Sequence, residues 1–263
     1  MKSALFYQST SEQFCSGNLA FCSRHQRAPF DPFIGGRSKS LAVFTEAAYG
    51  LTDWLDLGVQ VPYFSLEFRD LSNPLRPRTS NFGDIRFYAR YRLFTNPVVA
   101  SVRFGAKSPT GGVNVDSEVV PIGEGQWDLE FYGDVGRSFT SFPGYANLSL
   151  GYRVRTRNDR FNFKPGDEAS LLLEGGWALI PRLMAKGTID YLYSGHPKSL
   201  GFTFTSQRRE LLTVAPGFLY TPMSDLTIEA LIRLPLRGQG FPAGPQFSLG
   251  LSYSIDLAGN VDR

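Results

Sequence analysis

Three carboxylates, Asp128, Glu130 and Asp134, share one parity in the stretch Gln126-Trp-Asp-Leu-Glu-Phe-Tyr-Gly-Asp-Val-Gly136. Acid–base or nucleophilic work would want a histidine within reach of such groups. The chain has two, His25 and His196, both in segments that read as loops. His196 stands beside Ser194 and Ser199, but loop histidines of this kind read as solvated bystanders, and no catalytic residue is assigned. Cys15 and Cys22 have neither CxxC spacing nor a histidine pair nearby, so they do not read as metal ligands. In an oxidising compartment they would close a small disulfide; otherwise they are two thiols. Gly123-Glu-Gly125 and Thr110-Gly-Gly112 precede no helix, so they are turn glycines and not a phosphate cradle. Neither a cofactor nor a metal is expected.

The carboxylates are positioned by a strand. Side chains of a strand alternate between its faces, so Trp127, Leu129, Phe131, Gly133 and Val135 fall on one side and the acids on the other. Eleven further segments alternate in the same way. The polar faces carry Glu46 on the second, Arg86, Arg90 and Arg92 on the fourth, and Arg103 and Lys107 on the fifth. Arg153 and Arg155 follow on the seventh, Glu174 on the eighth, Lys186 and Asp190 on the ninth, and Glu229 and Arg233 on the eleventh. The acidic sixth strand thus lies between basic neighbours, close enough for cross-strand pairs. After Tyr63 the alternation slips, with Phe64, Leu66 and Phe68 apolar, which a bulge or a membrane rim would explain. Connections alternate too. Long polar loops at 15–37, 70–81, 108–125, 156–167, 194–207 and 238–245 are interleaved with turns of a few residues. Long loops on one rim and short turns on the other mark a transmembrane barrel, its greasy face toward lipid and its charged face lining a lumen. The expected fold is all-β, a single up-and-down antiparallel barrel of about twelve strands over residues 1–263.

Composition agrees. The 263 residues include 22 Phe, 12 Tyr and 27 Gly, which suits strands with aromatic girdles. Trp54, Trp127, Trp177 and most tyrosines fall on greasy faces or strand ends. A net charge of +3 does not suggest nucleic acid as a partner. No stretch approaches the 18 apolar residues of a membrane helix. Met1–Ser9 lacks the apolar core of a secretory signal, which an outer-membrane protein needs. Either the numbering starts at an internal Met, or the signal has been removed, or the barrel reading is wrong.

Several blocks resemble a known family: Tyr49-Gly-Leu-Thr-Asp53, Leu57-Gly-Val-Gln-Val-Pro-Tyr63, Gly83-Asp-Ile85 leading to Ala89-Arg-Tyr-Arg-Leu93, and Gly125-Gln-Trp-Asp128. They are similar to the recurring blocks of a bacterial outer-membrane barrel family, transporter-like and associated with the meta pathway of phenol degradation. The resemblance spans roughly residues 41–255. It implies a Gram-negative outer-membrane barrel for uptake of small or apolar compounds, without making phenol the ligand. In the last strand, Gly250, Tyr253 and Ile255 resemble the signal read by the barrel-assembly machinery, although Leu249 departs from it and the chain continues past Ile255. The functional expectation is a passive channel or transporter for small, apolar or aromatic molecules. The rival expectations are a closed barrel with a structural or surface role and a salt-bridged lumen, and a barrel enzyme.

Overall fold

The structure, a computed structural model, describes residues 1–16, 22–30, 35–71, 78–112 and 122–255. The rest of the expected loops at 15–37, 70–81 and 108–125 lies outside the described residues. One antiparallel sheet is built from β1 (Lys2–Thr10), β2 (Arg37–Gly50), β3 (Leu55–Arg69), β4 (Arg86–Phe94), β5 (Val99–Lys107) and β6 (Asp128–Phe139). It continues through β7 (Gly144–Arg155), β8 (Glu168–Ile180), β9 (Leu183–Ser194), β10 (Glu210–Met223), β11 (Leu226–Gln239) and β12 (Gln246–Tyr253). Each strand bonds its neighbours in chain order. The sheet closes because β1 bonds both β2 and β12, with Ala4 opposite Phe44 on one side and Gly250 on the other. This is the expected twelve-strand up-and-down barrel. Among the described residues no helix is long and apolar enough to cross a membrane, so strands do the spanning, and closure leaves no unpaired backbone edge in lipid.

The greasy faces point outward. Trp127, Leu129, Phe131 and Val135 are 43–50% exposed, whereas Asp128 is fully buried and Glu130 nearly so. An apolar band this extensive on a free surface is a lipid-facing surface. At the short-turn rim, Phe139, Phe142 and Trp177 stack in sequence, with ring centroids 4.5 and 5.2 Å apart.

Local chemistry moves several boundaries. Residues 3–14 alternate loosely enough in the sequence to read as one strand. The first strand stops at Thr10, whose hydroxyl accepts the Glu12 amide and turns the chain, and Glu12–Phe14 then pairs with Arg27–Pro29. Part of the expected loop at 70–81 is strand, since Arg78–Phe82 pairs with Tyr63–Glu67 of β3 and prolongs β4 beyond a break at residues 83–85. Thirteen hydrogen-bonded strands therefore make twelve staves. Neither a bulge nor a change of face follows Tyr63. The β2–β3 register is unbroken from Gly50↔Asp56 to Arg37↔Arg69, and it sends Phe64, Leu66 and Phe68 inward. The alternation changes because the inner face itself becomes apolar. In β10 the register slips near Leu212, and no β11 partner stands opposite Pro216, which has no N–H for the ladder. The loops at 156–167 and 194–207 meet, Phe163–Lys164 pairing with Lys198–Ser199 and that strand with Phe202–Thr203.

Because Phe131 faces lipid and Ser149 faces the lumen, one added charge should act differently at the two sites. We expect Phe131→Arg to cost up to about 2–4 kcal/mol and Ser149→Arg far less. Denaturant unfolding in lipid vesicles measures both, and equal costs would contradict the assigned faces.

Candidate functional site in the lumen

The inner wall divides into arcs of different chemistry. From β4 to β8, toward the long-loop rim, it is a continuous ion-pair network. Lys107 Nζ lies 3.0 Å from Asp128, 3.1 Å from Asp84 and against Glu124. Arg155 pairs with Glu124, with Glu168 at 3.2 Å and with Asp128 at 3.6 Å. Arg153 reaches Glu130 at 2.9 Å and Glu168 at 2.8 Å, and Arg86 reaches Glu130 at 3.6 Å. Lys107 and Asp128 are 3% and 0% exposed, so neither charge would be tolerated there without the other. A second cluster spans β8 to β11: Lys186 bridges Glu174 and Glu229, and Arg233 pairs with Asp190. Near the short-turn rim, Arg90 holds Asp56 at 2.6 Å.

Glu124 belongs to the loop between β5 and β6. Its amide and that of Gly111 both donate to Asp84, at 3.1 and 2.8 Å. Asn158 from the β7–β8 loop donates to its carbonyl at 2.8 Å. Burial raises the Glu124 pKa, but Arg155 and Lys107 more than offset this and hold it at about 2. The loop is thus tied to the wall by a charged side chain.

From β1 to β3 the inner wall carries an apolar stretch beside Glu46, Gln60 and Asp56. Phe6, Phe44 and Phe64 form a ladder of edge-to-face rings with centroids 5.5 and 5.6 Å apart, and Phe30 and Phe68 repeat the contact at 5.4 Å. The inner wall of β4 to β7 also carries tyrosines seated on cross-strand glycines. A Cβ on Gly58 would run into the Tyr88 ring, and one on Gly151 into Tyr132. The absent side chains let the rings lie along the wall. Tyr88 and Tyr145 donate to Glu46 and Glu174, each at 2.8 Å. Two recesses open along this wall. One, of about 180 Å³, is lined by Glu46, Gln60, Tyr88, Arg103, Glu130 and Tyr132 among others. The larger, of about 640 Å³ toward the short-turn rim, includes Lys2, Arg90, Arg103, Asp134, Tyr145 and Glu174.

The family described as "Putative MetA-pathway of phenol degradation" matches residues 35–251. The chain belongs to this family. No curated protein matches it. Among solved structures, an outer-membrane channel from Pseudomonas putida F1 is similar at 15% identity and a TM-score of 0.73, covering 97% of this chain and 95% of that one. The NanC porin is similar at 8% identity and 0.53, covering 97% and 100%. The KdgM porin follows at 10% and 0.50, covering 97% and 99%. At such identities the likeness is one of fold, and the fold with its lipid-facing band belongs to the outer membrane.

The ladder places Glu46, Arg86, Arg90, Arg92, Arg103, Lys107, Asp128, Glu130, Asp134, Arg153 and Arg155 on inner faces, with Glu174, Lys186, Asp190, Glu229 and Arg233. They do not form one cluster. Arg92 is exposed at the short-turn rim. Asp134 sits opposite Ser101 and Ser149 and, among the described residues, makes no ion pair, so the expected pairing of all three acids holds for Asp128 and Glu130 alone. Asp84, Glu124 and Glu168, which complete the network, were not singled out from the sequence. Glu168 and Asp84 continue the polar parity of β8 and β4 and could have been found that way. Glu124 lies in a loop, where no period applies. Cys15 and Cys22 are joined, with Cα atoms 6.1 Å apart. His25 bonds the Gly238 carbonyl and Arg237. The Ser194 hydroxyl near His196 is engaged with the Arg209 amide and the Gly195 carbonyl.

The depressed pKa of Glu124 fixes the sign of a pH effect. Its contribution to loop attachment is complete above the ordinary carboxylate value of 4.5 and is lost as pH falls from there toward about 2. Hydrogen exchange should show the Gly111 and Glu124 amides losing protection across that window, beyond the intrinsic rate change. Glu124→Gln should show weak protection at every pH. A pH-independent wild type would refute the latch.

Proposed function

We propose that the protein is a passive outer-membrane channel for small molecules, apolar and aromatic ones among them. The observation that carries this is the phenylalanine ladder Phe6–Phe44–Phe64 on the inner wall, where a water-filled pore would ordinarily be polar. Such a wall lets an apolar body pass without full hydration, while the charged arc keeps the remainder wet. The similar structures, an outer-membrane channel and two porins, are consistent with this reading.

The buried Lys107–Asp128 pairing favours a second reading, a closed barrel whose network only holds the wall and whose loops act at the surface. Planar-bilayer conductance separates the two. A channel conducts, and replacing Asp128, Glu130 and Asp134 by alanine leaves Lys107, Arg153 and Arg155 less neutralised, shifting selectivity toward anions. In the closed reading no current or solute flux appears, and the same variant is only less stable.

Recognition by the barrel-assembly machinery is part of the proposal. Tyr253, the last residue of β12, and Ile255 just beyond it are 46% and 65% exposed, and Gly250 faces inward opposite Glu229. Tyr253→Ala with Ile255→Ala should reduce the heat-modifiable folded form in cells while leaving refolding in detergent unchanged. Equal loss in both settings would make these residues structural.

A further inference from the structure

We propose that Arg103, with Tyr132 and Tyr88, forms a luminal subsite for a small planar organic monoanion, an aromatic carboxylate. Its place on a transport route rests on the channel reading; its chemistry rests on the geometry alone. The Arg103 guanidinium lies 4.2 Å from the Tyr132 ring centroid and 5.6 Å from that of Tyr88. Among the described residues it makes no ion pair, and its Nε has no hydrogen-bond partner. The rings that hold it are themselves held, Tyr88 over Gly58 with its hydroxyl on Glu46, and Tyr132 over Gly151. The cation is therefore oriented by stacking, which leaves its donors uncommitted.

Neighbouring charges do not occupy it. Glu46 accepts from Tyr88 and Gln60, and Glu130 is taken by Arg153 and Arg86. Asp134 is diagonal to it, since Arg103 faces Tyr132 across the ladder and Asp134 faces Ser101. The next inward position on β5 is Gly105, which adds no side chain of its own over the guanidinium. Arg103 lines both recesses and so stands where they meet. A carboxylate would take its N–H fork with two parallel hydrogen bonds, and a flat ring bearing that carboxylate would lie against tyrosine. A monoanion suits this part of the wall, because the neighbouring Arg86 and Arg90 already face carboxylates.

The test is calorimetric titration of the folded full chain in detergent with benzoate, benzyl alcohol and inorganic phosphate. Benzoate should bind saturably and at least about tenfold more tightly than the other two, the scale of one charge-assisted hydrogen bond. Arg103→Gln should remove that advantage and leave benzyl alcohol unchanged. Arg103→Lys should keep part of it, and Asp134→Asn should tighten benzoate. Equal binding of benzoate and benzyl alcohol, phosphate as tight as benzoate, or an unaltered Arg103→Gln overturns the proposal. Should Arg103→Gln not fold, Arg103→Lys and the wild-type comparison of the three ligands decide it. Bilayer recordings keep the two readings apart. Arg103-dependent binding without conductance leaves the subsite and removes the channel, and conductance without benzoate binding does the reverse.

Discussion

Backbone N–H and C=O groups cannot be left unpaired in hydrocarbon, and everything else in this chain follows from meeting that constraint with strands. The β1–β12 ladder, Lys2↔Ser252 through Gln8↔Gln246, is what closes the sheet. Once it is closed, parity decides the environment of every side chain, because a shift of one residue would exchange lipid for lumen along a whole strand. The alternation in β6 is therefore a consequence of closure. Asp128 can be fully buried only because the same ladder sets Lys107 directly opposite it on β5 and Arg155 opposite it on β7.

That arrangement has a cost which shapes the interior. Charges removed from water need partners and further hydrogen bonds to break even, and the long-loop half of the β4–β8 wall supplies them from neighbouring strands and from one loop residue, Glu124. The network is consequently cooperative, since each of Lys107, Arg153 and Arg155 touches at least two acids. The β1–β3 wall avoids the cost with phenylalanines. The lumen is in this way asymmetric across its width, with an ion-pair network on one side and a phenylalanine ladder on the other.

Most of the fold was legible in the sequence because a barrel writes its environment at a period of two. Twelve segments, the lipid face and the alternation of long and short connections could all be read. What could not be read lies where another force overrides that period. The Thr10 hydroxyl ends β1 through a local hydrogen bond that competes with the ladder. The apolar inner face of β3 looked like a lost phase because polarity was assumed to mark the inside. Glu124 gave no signal, since a loop residue is recruited by tertiary charge and not by spacing. Arginine identity alone also could not separate Arg155, locked among three acids, from Arg103, which has none among the described residues.

That last contrast follows from register. Lys107 and Arg155 stand opposite Asp128 and Arg153 opposite Glu130, so they meet their counter-charges directly. Two residues along β5 from Gly105, Arg103 meets Tyr132 and Arg90, an aromatic and a like charge. Arg90 turns to Asp56 on its other flank, and Arg103 turns to the rings. A stacked guanidinium keeps its charge but neutralises nothing, so the field it projects reaches into both recesses. In a wall where the neighbouring cations are spent on structure, that unspent charge is what a passing solute would meet.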